Sequence, residues 1–325
     1  MDRVELDRLI DHNNPDELVL FVDRLTGAGD WDGLLTVMAA CRAAASTGRQ
    51  LWPIASLAQY RLALRAPGRW AAQVLREGFG WFALGPLSEV AASTHAWIEL
   101  SPWLEPGPIA AYVAHERVLH GEDLRDADAD ATAVLELPLV LEPWEGPYAL
   151  PIYLDDKAKF DPPPSPVAAP VALPGADAPQ IDGDDGAMAL SELVGHWVSQ
   201  SDGRVEVRCV HGDHLAAITA LGVPRARVEE IDVGRAFAWM AWGAASGGAH
   251  GRRRGGAAGR FSAWWVATML AGLEWPPSPG VLGEVAGELK WFWWDPSAPR
   301  TVWQLHLAVW DEADDVAWAL SAVDQ

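Results

Sequence analysis

RAFAWMAWGAASGGAHGRRRGGAAGRFSAWWVATMLAGLEW, residues 235–275, decides how the rest of the chain is read. Apolar residues at helical spacing, with Trp239 and Trp242 before the glycines and Trp264 and Trp265 after them, predict two helices joined by a glycine-rich hinge. The hinge carries Arg252, Arg253, Arg254 and Arg260, a dense positive cluster in an acidic chain. Successive amides in a glycine-rich turn, the opening N–H groups of a helix and guanidinium groups together suit phosphate, carboxylate or an acidic peptide. The expected ligand-binding set is therefore Arg252, Arg253, Arg254, Arg260, His250, Gly255 and Gly256. A plainer account also fits: the glycines permit close helix packing, and the arginines face water or pair with acidic residues elsewhere in the chain. The stretch GGAAGR lacks the Lys-Ser/Thr ending of a P-loop and sits between helices, so it is no nucleotide motif.

Working outward toward the C-terminus, residues 281–289 predict a helix following Pro279-Gly280. LKWFWWD and TVWQLHLAVWD predict an antiparallel hairpin across a Pro-containing connection, and residues 311–323 predict a closing helix. Toward the N-terminus, residues 191–199 are helical. GRVEVRCVHG alternates as a strand, Asp213 caps a helix over HLAAITAL, and residues 228–233 form a second short strand. Residues 188–325 thus predict a tryptophan-rich α+β domain with a small mixed sheet containing an antiparallel hairpin.

A different composition precedes it. Residues 121–186 hold fifteen Asp or Glu against one Arg and two Lys, with prolines at 162, 163, 164, 166, 170, 174 and 179. Residues 125–187 predict an acidic, proline-rich extended linker, with TAVLELPLVL as a strand and 160–186 exposed or disordered. Residues 1–124 predict short helices between Gly/Pro breaks, with Pro15 and Pro108 at helix starts. They form an all-helical, HEAT-like array of helical hairpins without a clean repeat period.

The formal charge of -21 disfavours attraction to nucleic acid or to an anionic membrane. No apolar run reaches the roughly 18–20 residues of a membrane span. Two distant cysteines and an acidic N-terminus predict a reduced, cytoplasmic setting, and the excess of arginine and alanine over lysine predicts a GC-rich bacterial origin.

Other candidate chemistry is weaker. Cys209, His211 and His214 form C-x-H-x2-H at a strand end, with His250 or His196 available to complete a zinc set. The spacing is no recognised finger, so Cys209 as a small buried hydrophobe is favoured. HERVLH at 115–120 is not H-E-x-x-H, and predicts a solvated helix end. Trp291, Trp293, Trp294, Trp303 and Trp310 predict a sheet covered on both faces. An exposed stacking platform would want more positive charge than Lys290 and Arg300 supply.

Two functional classes survive. One is a noncatalytic scaffold or protein-interaction module with an anion-binding hinge at 247–260. The other is an enzyme or sensor acting on a phosphorylated or carboxylated small molecule held there. The partner is then another protein or an anionic small molecule, in competition with the chain's own 125–186 segment. No spacing calls for a cofactor, and none selects a general acid, base or nucleophile beside the hinge.

Overall fold

Local signals set several helix ends. Asn14 accepts from the amides of Asp16 and Glu17, Pro15 occupies the first turn that follows, and Gly29, at φ 65°, closes that helix. Asp30 then accepts from the Gly33 amide to begin the next. The computed structural model describes residues 3–127, 132–175, 178–296 and 303–325. The chain divides into two units, one made of Met1–Leu135 with Pro151–Lys159, the other of Glu136–Leu150 with Phe160–Gln325.

The first unit is a helical array: α1 (Arg3–His12), α2 (Pro15–Ala28), α3 (Trp31–Ser46), α4 (Trp52–Arg65), α5 (Gly68–Ala71), α6 (Leu87–Ala92), α7 (Trp97–Leu100), α8 (Pro108–Leu119) and α9 (Thr132–Leu135). α4 is its centre, because every residue from Ile54 to Leu64 except Leu57 is buried. Its polar residues are engaged inside: Gln59 accepts from the Gly80 amide at 2.7 Å, and Arg61 pairs with Asp23 and Asp155. A two-stranded ladder, β1 (Ile152–Tyr153) with β2 (Ala158–Lys159), is tied to α4 through Tyr60, whose hydroxyl donates to the Leu154 carbonyl.

The second unit is α+β. In chain order it contains β3 (Ala169–Val171), α10 (Asp185–Leu193), α11 (Gly195–Gln200), β4 (Arg204–His211), α12 (His214–Ala220), β5 (Ala226–Ile231) and α13 (Val233–Ala245). It continues through α14 (Gly256–Leu270), α15 (Pro279–Glu288), β6 (Lys290–Asp295), β7 (Trp303–Asp311) and β8 (Val316–Asp324). The six strands form one sheet in the order β3-β5-β6-β7-β8-β4. Every described pairing is antiparallel, where a mixed sheet was expected. Phe292, Trp294 and Ala308 turn to one face, where α12 packs. Trp291 and Trp293 turn to the other, against Phe237 and Trp239 of α13. Both faces are therefore covered, and Trp291, Trp293 and Trp294 are all buried.

The α13–α14 pair lies close because Gly259 leaves room: a Cβ there would meet the Ala241 carbonyl oxygen at 2.3 Å. Tryptophan completes the joint, with Trp264 buried against Trp144 and Trp242 stacked on Trp303 at 5.4 Å.

Two further expectations are corrected. Residues 311–323 do not form a helix. Val316–Asp324 is a strand paired on one side with β7 and on the other with β4, after a turn in which Asp311 accepts from the Ala313 and Asp314 amides. Its alanines gave a helix-like composition, but they are flanked on both sides by partner strands that no local pattern announces. TAVLELPLVL is not a strand either. It is the single turn α9 followed by irregular chain, and the Pro138 and Val140 carbonyls in it accept from an arginine rather than from a neighbouring strand.

Within the second unit, residues of the proline-rich stretch lie along the sheet. β3 adds to the β5 edge, while around Gln180 the chain bridges to Val210 of β4. The connection between β6 and β7, including Arg300, falls at 297–302, outside the described residues.

Candidate functional site

The hinge between α13 and α14 is held at both ends and in its middle. Ser246 ends α13, its hydroxyl donating to the Gly243 carbonyl at 3.0 Å. Gly248 follows at φ 72°, in space where a Cβ would sit 2.1 Å from the Asp324 carboxylate. That carboxylate, buried at the end of β8, accepts from the Ala249 amide at 2.6 Å. The His250 amide donates to Ser201, and the His250 ring reaches the Gln325 carbonyl at 3.2 Å. The Arg254 amide returns to the Ala245 carbonyl at 2.8 Å, which closes the loop. A glycine-rich segment with this many fixed points is a preorganised turn.

Its side chains divide sharply. Arg252, Arg254 and His250 are exposed, while Arg253 is half-buried with its guanidinium 4.6 Å from the Phe160 ring. Gly255 is buried and, at φ 104°, leads into α14, which begins at Gly256. Arg260 lies one turn into that helix and is fully buried. It donates to both oxygens of Glu145, at 2.9 and 2.7 Å, and to the Pro138 and Val140 carbonyls at 2.8 Å. Trp264 and Tyr148 also donate to the Glu145 carboxylate. Burial alone would raise the Glu145 pKa, but the hydrogen bonds and charge of Arg260 hold it below the usual carboxylate range.

Beside the loop lies an open cleft of about 290 Å³. Ala189, Glu192 and Leu193 of α10 form one wall, Phe261, Ser262 and Trp265 of α14 another, and Arg254 stands at the hinge side. Trp275 braces the aromatic wall, 5.2 Å from Phe261 and 5.6 Å from Trp265, and its ring N–H donates to Glu136. His196 sits beneath the loop with its Nε2 against the Ser246 carbonyl. Burial, assisted by the nearby Arg254 charge, pushes its pKa down to about 4. It is therefore a neutral support at ordinary pH.

The cysteine–histidine set is dispersed. Cys209 and His211 share one face of β4, whereas His214 stacks on Phe292 on the face that carries Val210. Burial raises the Cys209 thiol to about 12, which makes it a poor thiolate source. Among the described residues no group of three or more His, Cys, Asp or Glu side chains is placed to hold a metal ion. HERVLH is not a solvated helix end: His115 and Glu116 are buried, because α8 is packed on the α6 side and not only at its tip.

Residues 16–325 match the model of a family of unknown function, DUF6183. The chain belongs to that family. No curated protein and no solved structure matches it. The site of this DUF6183 chain also depends on residues that sequence reasoning did not select: Asp324, Ser201, Ser246 and Glu192. The first three fix the loop backbone and the last lines the cleft; Asp324, Ser201 and Glu192 reach their places through tertiary contact, whereas Ser246 acts locally on Gly243 and Gly248. Among the described residues no helix is long and apolar enough to cross a membrane.

Proposed function

We propose that this DUF6183 member is a noncatalytic interaction module whose hinge loop holds an anionic group of a partner. The observation that carries the reading is the exposure of Arg252 and Arg254 on a loop whose backbone is fixed by Asp324, Ser201 and the Ala245 carbonyl. Arginines carried on a fixed backbone lose less freedom on binding than arginines on a mobile loop, and their guanidinium groups favour planar carboxylate or phosphate geometry. Arg260 belongs to the frame of this site and not to its binding face.

In this reading the helical array of the first unit, a HEAT-like stack of helical hairpins, supplies a second surface for a protein partner. The exposed carboxylates of the acidic, proline-rich 125–187 segment, among them Asp161 and Asp182, compete for the loop. The protein works in the cytoplasm. The sensor reading draws support from the open cleft of about 290 Å³ beside Arg254.

The test compares wild type with Arg252→Ala/Arg254→Ala by titrating a glutamate-rich peptide at low and at moderate salt. The double variant should bind about 5- to 30-fold more weakly and lose most of the salt dependence. Equal affinity for the two proteins, or no wild-type binding at peptide concentrations of about 1 mM, sinks the reading.

A further inference from the structure

The cleft beside the loop has a more specific chemistry than a positive patch. Its lining combines one guanidinium, Arg254, one carboxylate, Glu192, a hydroxyl, Ser262, and an apolar surface made by Ala189, Leu193, Phe261 and Trp265. From this combination we infer that the cleft binds a free apolar α-amino acid. The ligand's carboxylate lies on Arg254, its ammonium on Glu192, and its side chain against Phe261 and Trp265. The inference rests on the reading of the loop as the anion-binding end of the second unit, and it names the ligand class for that end.

Three observations converge on it. The first is charge balance. Glu192 and Arg254 carry opposite charges on one small cleft, so the site is neutral overall and matches a zwitterion. A phosphate dianion would meet the arginine and the repelling carboxylate together, which disfavours it. The second is size. At about 290 Å³ the cleft is at or below the low end of the range that takes drug-sized molecules, and it suits something smaller.

The third is rigidity of the apolar part. Ala189 and Leu193 are buried, and Trp275 packs edge-on against the Phe261 and Trp265 rings at 5.2 and 5.6 Å. Aromatic faces there receive an apolar side chain and also favour a nearby ammonium. Ser262 donates to the Ala258 carbonyl within its own helix, which leaves its oxygen lone pairs available to a ligand N–H. The Arg254 backbone is fixed by the Ala245 carbonyl, so its side chain starts from a defined point at the cleft mouth.

The experiment uses the full chain and isothermal titration with L-phenylalanine, L-leucine, N-acetyl-L-phenylalanine, L-phenylalaninamide and phenyl phosphate. The expected result is saturable binding of phenylalanine and leucine below about 1 mM, with the acetylated, amidated and phosphate compounds at least about 10-fold weaker. Arg254→Gln should weaken phenylalanine about 10-fold or more. Glu192→Gln should weaken phenylalanine several-fold while leaving N-acetyl-phenylalanine unchanged. Both positions are exposed, so both variants should fold.

Absence of saturable amino-acid binding up to about 10 mM overturns the inference. So does N-acetyl-phenylalanine binding as tightly as phenylalanine, which would make a peptide C-terminus the ligand. Phenyl phosphate binding more tightly than phenylalanine, or phenylalanine binding untouched by both substitutions, overturns it as well. If the glutamate-rich peptide still binds through Arg252 and Arg254 while amino acids do not, this assignment alone fails. Loss of both removes the loop reading too.

Discussion

Replacing Glu145 by glutamine should be among the most damaging near-isosteric changes in the second unit. Both side chains of the Arg260–Glu145 pair are fully buried, with a closest N···O distance of 2.7 Å. Around the carboxylate, the donors are the Arg260 guanidinium at two points, the Trp264 ring N–H, the Tyr148 hydroxyl and the Glu142 amide. Glutamine keeps the shape but loses the charge, and it turns one acceptor oxygen into an NH2 that faces donors. Arg260 would then hold an uncompensated charge in the core. Removing one partner of a buried pair costs about 3–5 kcal/mol, a large share of a total stability of about 5–15 kcal/mol. For a unit of this length that corresponds to a loss of roughly 6–20 °C in Tm.

The assay is urea unfolding followed by tryptophan emission. Apart from Trp31, Trp52, Trp70, Trp81, Trp97 and Trp103, the tryptophans all belong to the second unit, so the signal reports mainly on it. Arg260→Met should be comparably severe. The double variant Glu145→Gln/Arg260→Met should be milder than the sum of the two by at least about 1 kcal/mol, because each single change strands the other group. Acid should act on the same pair. The folded pKa of Glu145 lies below its ordinary value, so its stabilisation is complete above the unfolded pKa and is lost as pH falls through the folded one. A loss under about 1 kcal/mol for Glu145→Gln would refute the reasoning, since the carboxylate would then not be compensating a buried cation.

Three further outcomes follow from the same packing. Burial pushes the His306 pKa from 6.5 down to about 4, so the unfolded chain takes up its proton first. Stability should be full above pH 6.5 and fall by roughly 3 kcal/mol on this account by pH 4. His306→Phe should flatten that slope in unfolding measurements across the range, and an unfolding free energy already constant between pH 7 and 5 in wild type would contradict it. Gly259→Ala forces a Cβ against the Ala241 carbonyl and should cost about 1–3 kcal/mol, whereas Gly287→Ala, in α15 with open space around it, should stabilise by about 0.5–1 kcal/mol in thermal melts. Asp324→Ala leaves every loop arginine in place but removes the acceptor for the Ala249 amide; hydrogen exchange at residues 247–251 should rise, and peptide binding at the loop should weaken several-fold.

Much of the architecture was legible because its signals are local. Pro15 marks a helix start, the glycines at 27 and 29 mark its end, and Asp213 caps α12 through the Ala216 amide as its position suggests. The aromatic and aliphatic runs in LKWFWWD and TVWQLHLAVWD identified β6 and β7, and the tryptophans on both faces announced a sheet covered on both sides. The closing strand escaped because Ala317, Ala319 and Ala322 fit a helix as readily as a central strand. Only pairing with β7 and β4 distinguishes the two. TAVLELPLVL was misread for the opposite reason. Its apolar side chains look like a strand, but its carbonyls are satisfied by Arg260, which lies about 120 residues further along the chain.

The arginine cluster shows the same limit at the candidate site. In sequence, Arg252, Arg253, Arg254 and Arg260 form one patch, and adjacency gives no ground for separating them. The fold separates them by where α14 begins. Arg252 and Arg254 precede the helix and project from the loop, while Arg260 sits on the helix face that meets residues 136–150. Burying a guanidinium is unfavourable unless its charge and donors are met, and Glu145 with two carbonyls meets them. That same contact orders the first turns of α14, from which the loop departs. An arginine that cannot reach a ligand therefore helps set the position of those that can. This coupling gives the Glu145→Gln experiment a second readout: if Arg260 positions the loop, a variant held well below its Tm should still lose affinity for the glutamate-rich peptide, although the substituted residue is buried beyond the peptide's reach.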